Sequence, residues 1–210
     1  FATVLLLAAG RLLAANVLLT NAVVYDGTGS EPYRGDVRIE GARIAAVAPH
    51  LEPKAGETVL DQQGLALAPG FINMLSWAPE SLIVDGRGQS DLRQGVTLEV
   101  FGEGWSMGPM TDAMKKEALA QQQDFSFDIN WTTLGEYLES MEKRGISMNV
   151  ASLVGATTVR IHELGYENRA PTAAELESMQ ALVRNAMSEG ALGVGASLIY
   201  APGFYASAEE

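Results

Sequence analysis

The feature that most constrains the fold is an alternation of strand-like and helix-like segments after Gly70. Two of the helical segments begin with a capping box, Thr133 with Glu136 and Thr172 with Glu175, followed by apolar residues at helical spacing. The runs predicted as strands are Phe71–Trp77, Gly95–Phe101, Ser147–Val154 and Ala191–Tyr200. Because strands that alternate with amphipathic helices pair in parallel, this part of the chain predicts βαβ units.

The length of the chain limits how complete this fold is. A closed eight-stranded barrel takes about 250 residues, whereas the whole chain has 210. We therefore predict an α/β fold in which 69–210 form part of a (β/α)8 TIM-type barrel, about its first four βα units. Ser207 and Glu210 form a further capping box with no helix behind it, so we expect the chain to continue. Because half a barrel leaves unpaired strand edges, self-association through them is expected.

The segment 17–68 is predicted to be a small β-sandwich segment. Asp36–Glu40 alternates with period two, and Gly41 turns the chain into Arg43–Val47, which predicts a hairpin. The apolar residues 1–16 favour the remnant of a leader, which would imply export, but Arg11 interrupts them, so an ordinary N-terminal segment of a cytoplasmic protein stays open. The stretch is shorter than the about 20 apolar residues that span a bilayer, which argues against integral membrane association.

The amino-acid composition argues against several classes of function. The chain has no cysteine, which excludes disulfides, thiolate metal sites and a cysteine nucleophile. Its formal net charge is -12. Nucleic acid and anionic membranes would be repelled by that charge, so a nucleic-acid partner is not expected.

Several segments together resemble the amidohydrolase superfamily, specifically its D-aminoacylase (N-acyl-D-amino-acid deacylase) branch. The segments that carry the likeness are Leu18–Gly29, Leu67–Asn73, Gly95–Thr97, Gly190–Gly193 and Leu198–Gly203. The resemblance implies a metal-dependent barrel that carries a small β-sandwich and hydrolyses a carbon–nitrogen bond, other than a peptide bond, in a small linear amide. It also implies a divalent metal, with zinc as the expected ion, which activates a water molecule.

The chain departs from the pattern of that family at the metal-binding positions. The family places a His-x-His pair at the end of the first barrel strand, where this chain has Leu75 and Trp77. A metal-ligating cysteine of the deacylases corresponds to Gly104, and a histidine after the third strand corresponds to Ala156. These departures leave an alternative open, a metal-free and catalytically silent binding protein with the amidohydrolase fold.

The remaining site candidates follow from their positions after the predicted strands. Glu103, between two glycines, could donate a carboxylate oxygen to a metal, or structure the loop. Trp77, Trp105 and Tyr200 are predicted to contact the substrate, with core packing as the alternative for the two tryptophans. No catalytic acid or base can be assigned.

Five further polar residues are expected to have no part in catalysis or metal binding. Glu99 is expected to make a buried contact or a salt bridge. His50 is expected on the surface, and His162 in a loop with a structural or solvent-facing role. The polar loop with Asp85 and Asp91 suits a lid or a surface turn equally.

Overall fold

The computed structural model describes residues 16–122 and 126–210 of the chain. Contacts divide the chain into two compact units, the first ending at Pro69 and the second beginning at Gly70. The leader predicted for residues 1–16 lies outside the described residues, apart from Asn16. Within the described ranges, no helix is both long enough and apolar enough to cross a membrane.

The first unit is a five-stranded mixed sheet. Its strands are β1 (Val17–Val24), β2 (Tyr33–Glu40), β3 (Arg43–Ala48), β4 (Thr58–Asp61) and β5 (Ala66–Leu67). The order is β3-β2-β1-β4, and β5 also pairs with β1. The predicted hairpin is confirmed, since β2 and β3 pair in antiparallel fashion around Gly41, which has a φ of 62°.

A buried carboxylate organises the centre of this sheet. Asp36 accepts the backbone N–H groups of Asn21 and Leu51, each at 2.9 Å. Burial alone would raise the pKa of Asp36, but these two hydrogen bonds and the neighbouring His50 outweigh it and lower the pKa. Asn21 has a positive φ of 56°, and the pairing of β1 with β2 shifts register beside it. Asp36 thus holds an irregular stretch of β1 in place.

The second unit alternates parallel strands with helices. Its strands are β6 (Phe71–Asn73), β7 (Val96–Phe101), β8 (Asn149–Ser152), β9 (Val154–Gly155) and β10 (Val194–Gly195). Its helices are α1 (Pro79–Val84), α2 (Gln89–Leu92), α3 (Asp112–Gln121), α4 (Leu134–Arg144), α5 (Ala156–Leu164) and α6 (Ala173–Ser188). Strands β6, β7 and β8 form one parallel sheet in that order, and β9 pairs with β10 in parallel. This is the mixed α/β architecture that the alternation predicts.

Both capping boxes form as predicted. The hydroxyl of Thr133 accepts the N–H of Glu136, whose carboxylate accepts the N–H of Thr133 in return. Thr172 and Glu175 repeat the arrangement at the start of α6. Each box pairs N–H groups that the first turn of a helix would otherwise leave unbonded.

Helix α4 supplies much of the core of the second unit. Leu134, Tyr137 and Met141 are buried on one face of it. The ring of Trp131 lies 5.3 Å from that of Tyr137, and its indole N–H donates to the carbonyl of Met107 at 2.6 Å. The helix is thereby packed against the loop that follows β7.

Three predicted strands are clearly shorter than the sequence indicates. The one predicted over Ser147–Val154 is interrupted at Leu153, so that only Asn149–Ser152 forms β8 and Val154 begins β9. The strand predicted over Phe71–Trp77 ends at Asn73, whose side-chain oxygen accepts the N–H of Leu75 at 3.3 Å and turns the backbone. The strand predicted over Ala191–Tyr200 is only Val194–Gly195, because its partner β9 has only two residues. The length of an apolar run does not predict strand length, because it does not show where the hydrogen bonding to the neighbouring strand ends.

The loop predicted around His162 is wrong, because that residue lies within α5. The N-cap Gly155 has no side chain to cap the helix. Instead, the N–H groups of Thr157 and Thr158 donate to the carbonyl of Gly104, at 3.0 and 3.4 Å. A carbonyl from a distant loop therefore starts the helix in place of a local signal.

Candidate functional site

The loop after β7 is held close to the ends of β9 and β10 by glycines. A Cβ at Gly155 would overlap the carbonyl oxygen of Gly104, and a Cβ at Gly195 would overlap that of Gly102. Ser106 strengthens the contact, since its hydroxyl accepts the N–H of Gly155 at 2.9 Å and its own N–H donates to Thr158. The loop that carries Glu103 is therefore fixed to the carboxyl ends of neighbouring strands.

A cavity of about 580 Å³ opens beside this loop. Its lining includes the aromatic residues Trp77, Phe101, Trp105 and Tyr166, the methionines Met107, Met110 and Met114, and the acids Glu80, Glu103 and Glu117. The volume lies in the range of small-molecule sites, which is about 300–1,000 Å³. The cavity belongs entirely to the second unit, between the ends of β6 and β7 and helices α3 and α5.

Three of the four residues predicted for the site line this cavity, namely Trp77, Trp105 and Glu103. Trp77 is 66% exposed and Trp105 is 40% exposed. Such exposure fits a wall that a ligand can touch better than packing in a core. Tyr200 does not line the cavity and is 56% exposed in the turn before the cis peptide bond Ala201–Pro202.

The charged residues that line the cavity all carry negative charge. Among the residues that the structure describes, neither lysine, arginine nor histidine is part of its lining. None of the ion pairs found among the described residues involves Glu80, Glu103 or Glu117. The described lining of the cavity is therefore acidic and aromatic, with no cationic side chain in it.

Glu117 is the one of these acids that neighbouring side chains orient. The hydroxyl of Tyr166 donates to one of its carboxylate oxygens at 3.0 Å, and the amide of Gln121 donates to the same oxygen at 3.1 Å. Partial burial, followed by the hydrogen bond to Glu117, raises the pKa of Tyr166. Sequence reasoning missed this pair, because its members lie 49 positions apart.

The residues at the metal positions implied by the resemblance do not fit a metal. Leu75 and Trp77 have no lone pair to offer, and both are exposed beyond the end of β6. A side chain at Gly104 would be strained by a φ of 76°, and its Cβ would lie 2.7 Å from the Cβ of Ser197. Within the described ranges, no three or more histidine, cysteine, aspartate or glutamate side chains are grouped so that they could hold a metal ion.

The other polar candidates lie away from the cavity. Asp85 accepts two hydrogen bonds from the guanidinium of Arg87 and one from its N–H, which lower the pKa of Asp85 to about 2 and close a surface turn. His50 is exposed, and its Nδ1 lies 3.3 Å from a carboxylate oxygen of Asp36. His162 is half-buried, with its Nδ1 2.8 Å from the carboxylate of Glu163.

Glu99 lies within β7 and is fully buried, as expected of a buried contact. Neither of its carboxylate oxygens has a hydrogen-bond partner among the described residues. The salt bridge that was the other expectation for Glu99 is therefore not found within them. Its ladder partner is Val150, which packs against the hydrophobic core of this unit. Glu99 is not among the residues that line the cavity.

Comparison with known proteins gives relatives over nearly the whole chain, although no family model matches it. The sequence is 31% identical over 200 residues to an N-acyl-D-aspartate deacylase of Alcaligenes xylosoxydans xylosoxydans, a match that covers 93% of this chain and 39% of that protein. The structure resembles a D-aminoacylase studied for its binuclear metal center, with a TM-score of 0.81, 29% identity, and coverage of 92% of this chain and 40% of the other.

A second solved structure of a deacylase is similar to this chain over the same part of its length. It is an N-acyl-D-glutamate deacylase from Bordetella bronchiseptica, complexed with zinc and a phosphonate inhibitor that mimics the tetrahedral intermediate. The TM-score is 0.77 with 28% identity, and the match covers 93% of this chain and 41% of the other. The chain thus spans about two-fifths of the length of the proteins it resembles.

Proposed function

This chain is a homologue of the N-acyl-D-amino-acid deacylases of the amidohydrolase superfamily, and on that premise we propose that it serves the hydrolysis of the carbon–nitrogen bond of an N-acyl-D-amino acid. The observation that carries the proposal is the cavity at the carboxyl ends of β6 and β7. Barrel enzymes bind and convert their substrates at that end of the strands. In this proposal Trp77 and Trp105 form a wall against the substrate.

The proposed architecture is the first four βα units of a (β/α)8 barrel over 69–210, preceded by a β-sandwich segment over 17–68. The parallel pairing of β6, β7 and β8 and of β9 with β10 supports it. Leu153 alone separates β8 from β9, so one chain segment connects the two sheets. Exposed strand edges in such an arrangement would favour the proposed self-association.

The proposed cofactor is a divalent metal, with zinc as the candidate because a related deacylase is complexed with it. The described residues do not provide its binding site, since Leu75, Trp77, Gly104 and Ala156 cannot ligate an ion. Glu103 stays a proposed ligand because its half-buried carboxylate lines the cavity. In this proposal the described part of the chain binds and orients the substrate.

A second candidate function is supported by the same four positions. A protein that keeps the fold and the cavity but has no metal ligands at these places would bind an N-acyl-amino acid or a similar ligand without turnover. The steric conflict between a side chain at Gly104 and Ser197 favours this candidate, because a ligand could not be restored there without local rearrangement.

Two measurements on the purified protein separate the candidates. Elemental analysis would give zinc per chain, and a ninhydrin or coupled assay would give amino acid released from N-acetyl-D-amino acids and from their L enantiomers. Stoichiometric zinc together with D-selective hydrolysis supports the deacylase. Binding of N-acetyl-D-amino acids by a metal-free and inert protein supports the second candidate, and the absence of both binding and hydrolysis rejects both.

A further inference from the structure

We propose that the cavity beside Glu103 selects an organic cation, namely an ammonium group on an apolar stem. The inference rests on the proposed function in one respect, since it assigns this group to the side chain of the N-acyl-amino acid that the protein would bind. It goes beyond that function because nothing in the deacylase activity requires a charged side chain. Its evidence lies in the charge, the aromatic surface and the shape of the cavity.

The first argument is the charge of the cavity walls. Glu80, Glu103 and Glu117 come from α1, from the loop after β7 and from α3, and the described lining residues include no lysine, arginine or histidine. A concave site lined by one sign of charge focuses the electrostatic potential and attracts ligands of the opposite sign. A negatively charged side chain would meet three carboxylates there, with no compensating cation among the described lining residues.

The second argument separates an organic cation from a metal ion. The three glutamates do not form a group of metal-binding geometry, as no such group is found in the described part of the chain. Carboxylates that are too dispersed to share one small ion can still attract the charge of a larger organic ligand. The arrangement of the three glutamates therefore favours long-range attraction of an organic cation over coordination of a metal ion.

The third argument is the aromatic surface. The rings of Trp77, Trp105 and Tyr166 line the cavity and are exposed. Tryptophan faces attract ammonium and guanidinium groups through the ring quadrupole. The combination of indole rings with acids therefore favours a positively charged side chain over a negatively charged one.

The fourth argument concerns the stem that carries the charge. Met107, Met110 and Met114 line the same cavity, and Met110 is buried. Methionine side chains adapt to irregular apolar ligands because they are unbranched and polarizable. An alkyl chain of a few carbons would contact these thioethers while its terminal ammonium group remained beside the acids.

Glu103 is the acid on which the test depends. Glu117 already accepts hydrogen bonds from Tyr166 and Gln121, and Glu80 is exposed on a short helix. Glu103 is half-buried between Gly102 and Gly104, whose positive φ values of 94° and 76° fix the loop. Where it does not ligate a metal ion, its carboxylate is therefore expected to be the main counter-charge for the ammonium group.

The experiment compares three probes of equal chain length by isothermal titration calorimetry: n-pentylammonium, n-pentanol and pentanoate. We expect the ammonium probe to bind about tenfold more tightly than the alcohol, with pentanoate weakest, and the preference to shrink as salt is raised. Glu103→Gln should reduce the preference, whereas Glu177→Gln, an exposed position on α6 outside the cavity, should not. Trp105→Leu is a second variant, and it should also weaken the binding of the ammonium probe.

The outcomes distinguish this inference from the proposed function. Equal binding of the three probes, stronger binding of pentanoate, or a preference that both Glu103→Gln and Trp105→Leu leave unchanged would overturn the inference. Hydrolysis of N-acetyl-D-glutamate in preference to N-acetyl-D-lysine would also overturn it while supporting the deacylase. Selective binding of n-pentylammonium by a protein that hydrolyses neither compound would sustain the inference and reject the deacylase.

Discussion

The guanidinium of Arg160 and the carboxylate of Glu210 form an ion pair closed to solvent, although the residues lie 50 positions apart. Their side chains are 1% and 6% exposed. Arg160 also donates to the carbonyls of Glu167 and Arg169, at 3.2 and 2.6 Å. This arginine therefore joins α5, the loop after it and the last described residues into one structure.

Replacement of Glu210 by glutamine tests how much this pair stabilises the second unit. Removing one partner of a buried ion pair leaves an uncompensated charge, and we expect the free energy of unfolding to fall by about 3 kcal/mol. All three tryptophans of the chain, Trp77, Trp105 and Trp131, lie in this unit, so their fluorescence during urea unfolding reports on it. Glu209→Gln is the matched control, because its neighbouring carboxylate is exposed. Equal stability of the two variants would show that the pair contributes nothing.

Substitution of Glu99 tests the opposite situation, a buried acid without a partner. Both of its carboxylate oxygens lack hydrogen bonds among the described residues, and the ladder places it opposite Val150. An unsatisfied buried polar group costs about 1–3 kcal/mol, so Glu99→Met should raise the free energy of unfolding by a similar amount. The same urea measurement applies, with the surface variant Glu177→Met expected to change it by less than about 0.5 kcal/mol. A loss of stability in Glu99→Met would mean that the carboxylate has a partner after all.

The close approach of the loops can be tested at Gly155. A methyl group there would overlap the carbonyl oxygen of Gly104, which also accepts the first N–H groups of α5. Because the obstacle is backbone, it cannot rotate away, and we expect Gly155→Ala to destabilise the unit by about 2 kcal/mol. Gly193→Ala is the control, since the nearest atom to its Cβ is Leu153 Cδ2 at 3.5 Å, an ordinary contact. If both alanine variants unfold at the same urea concentration, the packing argument is wrong.

The sequence predicted well those features whose partners are close along the chain. Both capping boxes formed because Thr133 and Thr172 each lie three residues from the group they bond. The hairpin around Gly41 formed for a similar reason, since its two strands are adjacent in the chain and only the turn at Gly41 separates them. Propensity and pattern act over short distances, so they are informative where the structure is local.

The sequence predicted less well those features that depend on distant atoms. Helix α5 was missed because the carbonyl of Gly104, and not a side chain at Gly155, accepts its first N–H groups. The strand at Phe71 was predicted too long because its apolar run continues past the turn at Asn73.

In the candidate site, too, some residues could be predicted from the sequence and others depend on contacts between distant parts of the chain. Trp77, Trp105 and Glu103 could be proposed because loops after parallel strands gather at one end of a sheet. The contact between Glu117 and Tyr166 required the packing of α3 against the end of α5, which no spacing in the sequence reveals.

The capping box of α6 predicts a loss of stability in acid. Hydrogen bonds from the side chain of Arg169 and from the N–H and hydroxyl of Thr172 lower the pKa of Glu175 from its ordinary value of 4.5 to about 2. Because the folded-state pKa is the lower one, this stabilisation is present above pH 4.5 and is lost as the pH falls toward 2. Glu175→Gln should therefore unfold at a lower temperature than the unmodified chain at pH 6, and the two melting temperatures should converge near pH 2, as followed by circular dichroism. Glu177→Gln, an exposed position on the same helix, should follow the unmodified chain throughout; a difference that persists at pH 2 would contradict the ionic origin of the effect.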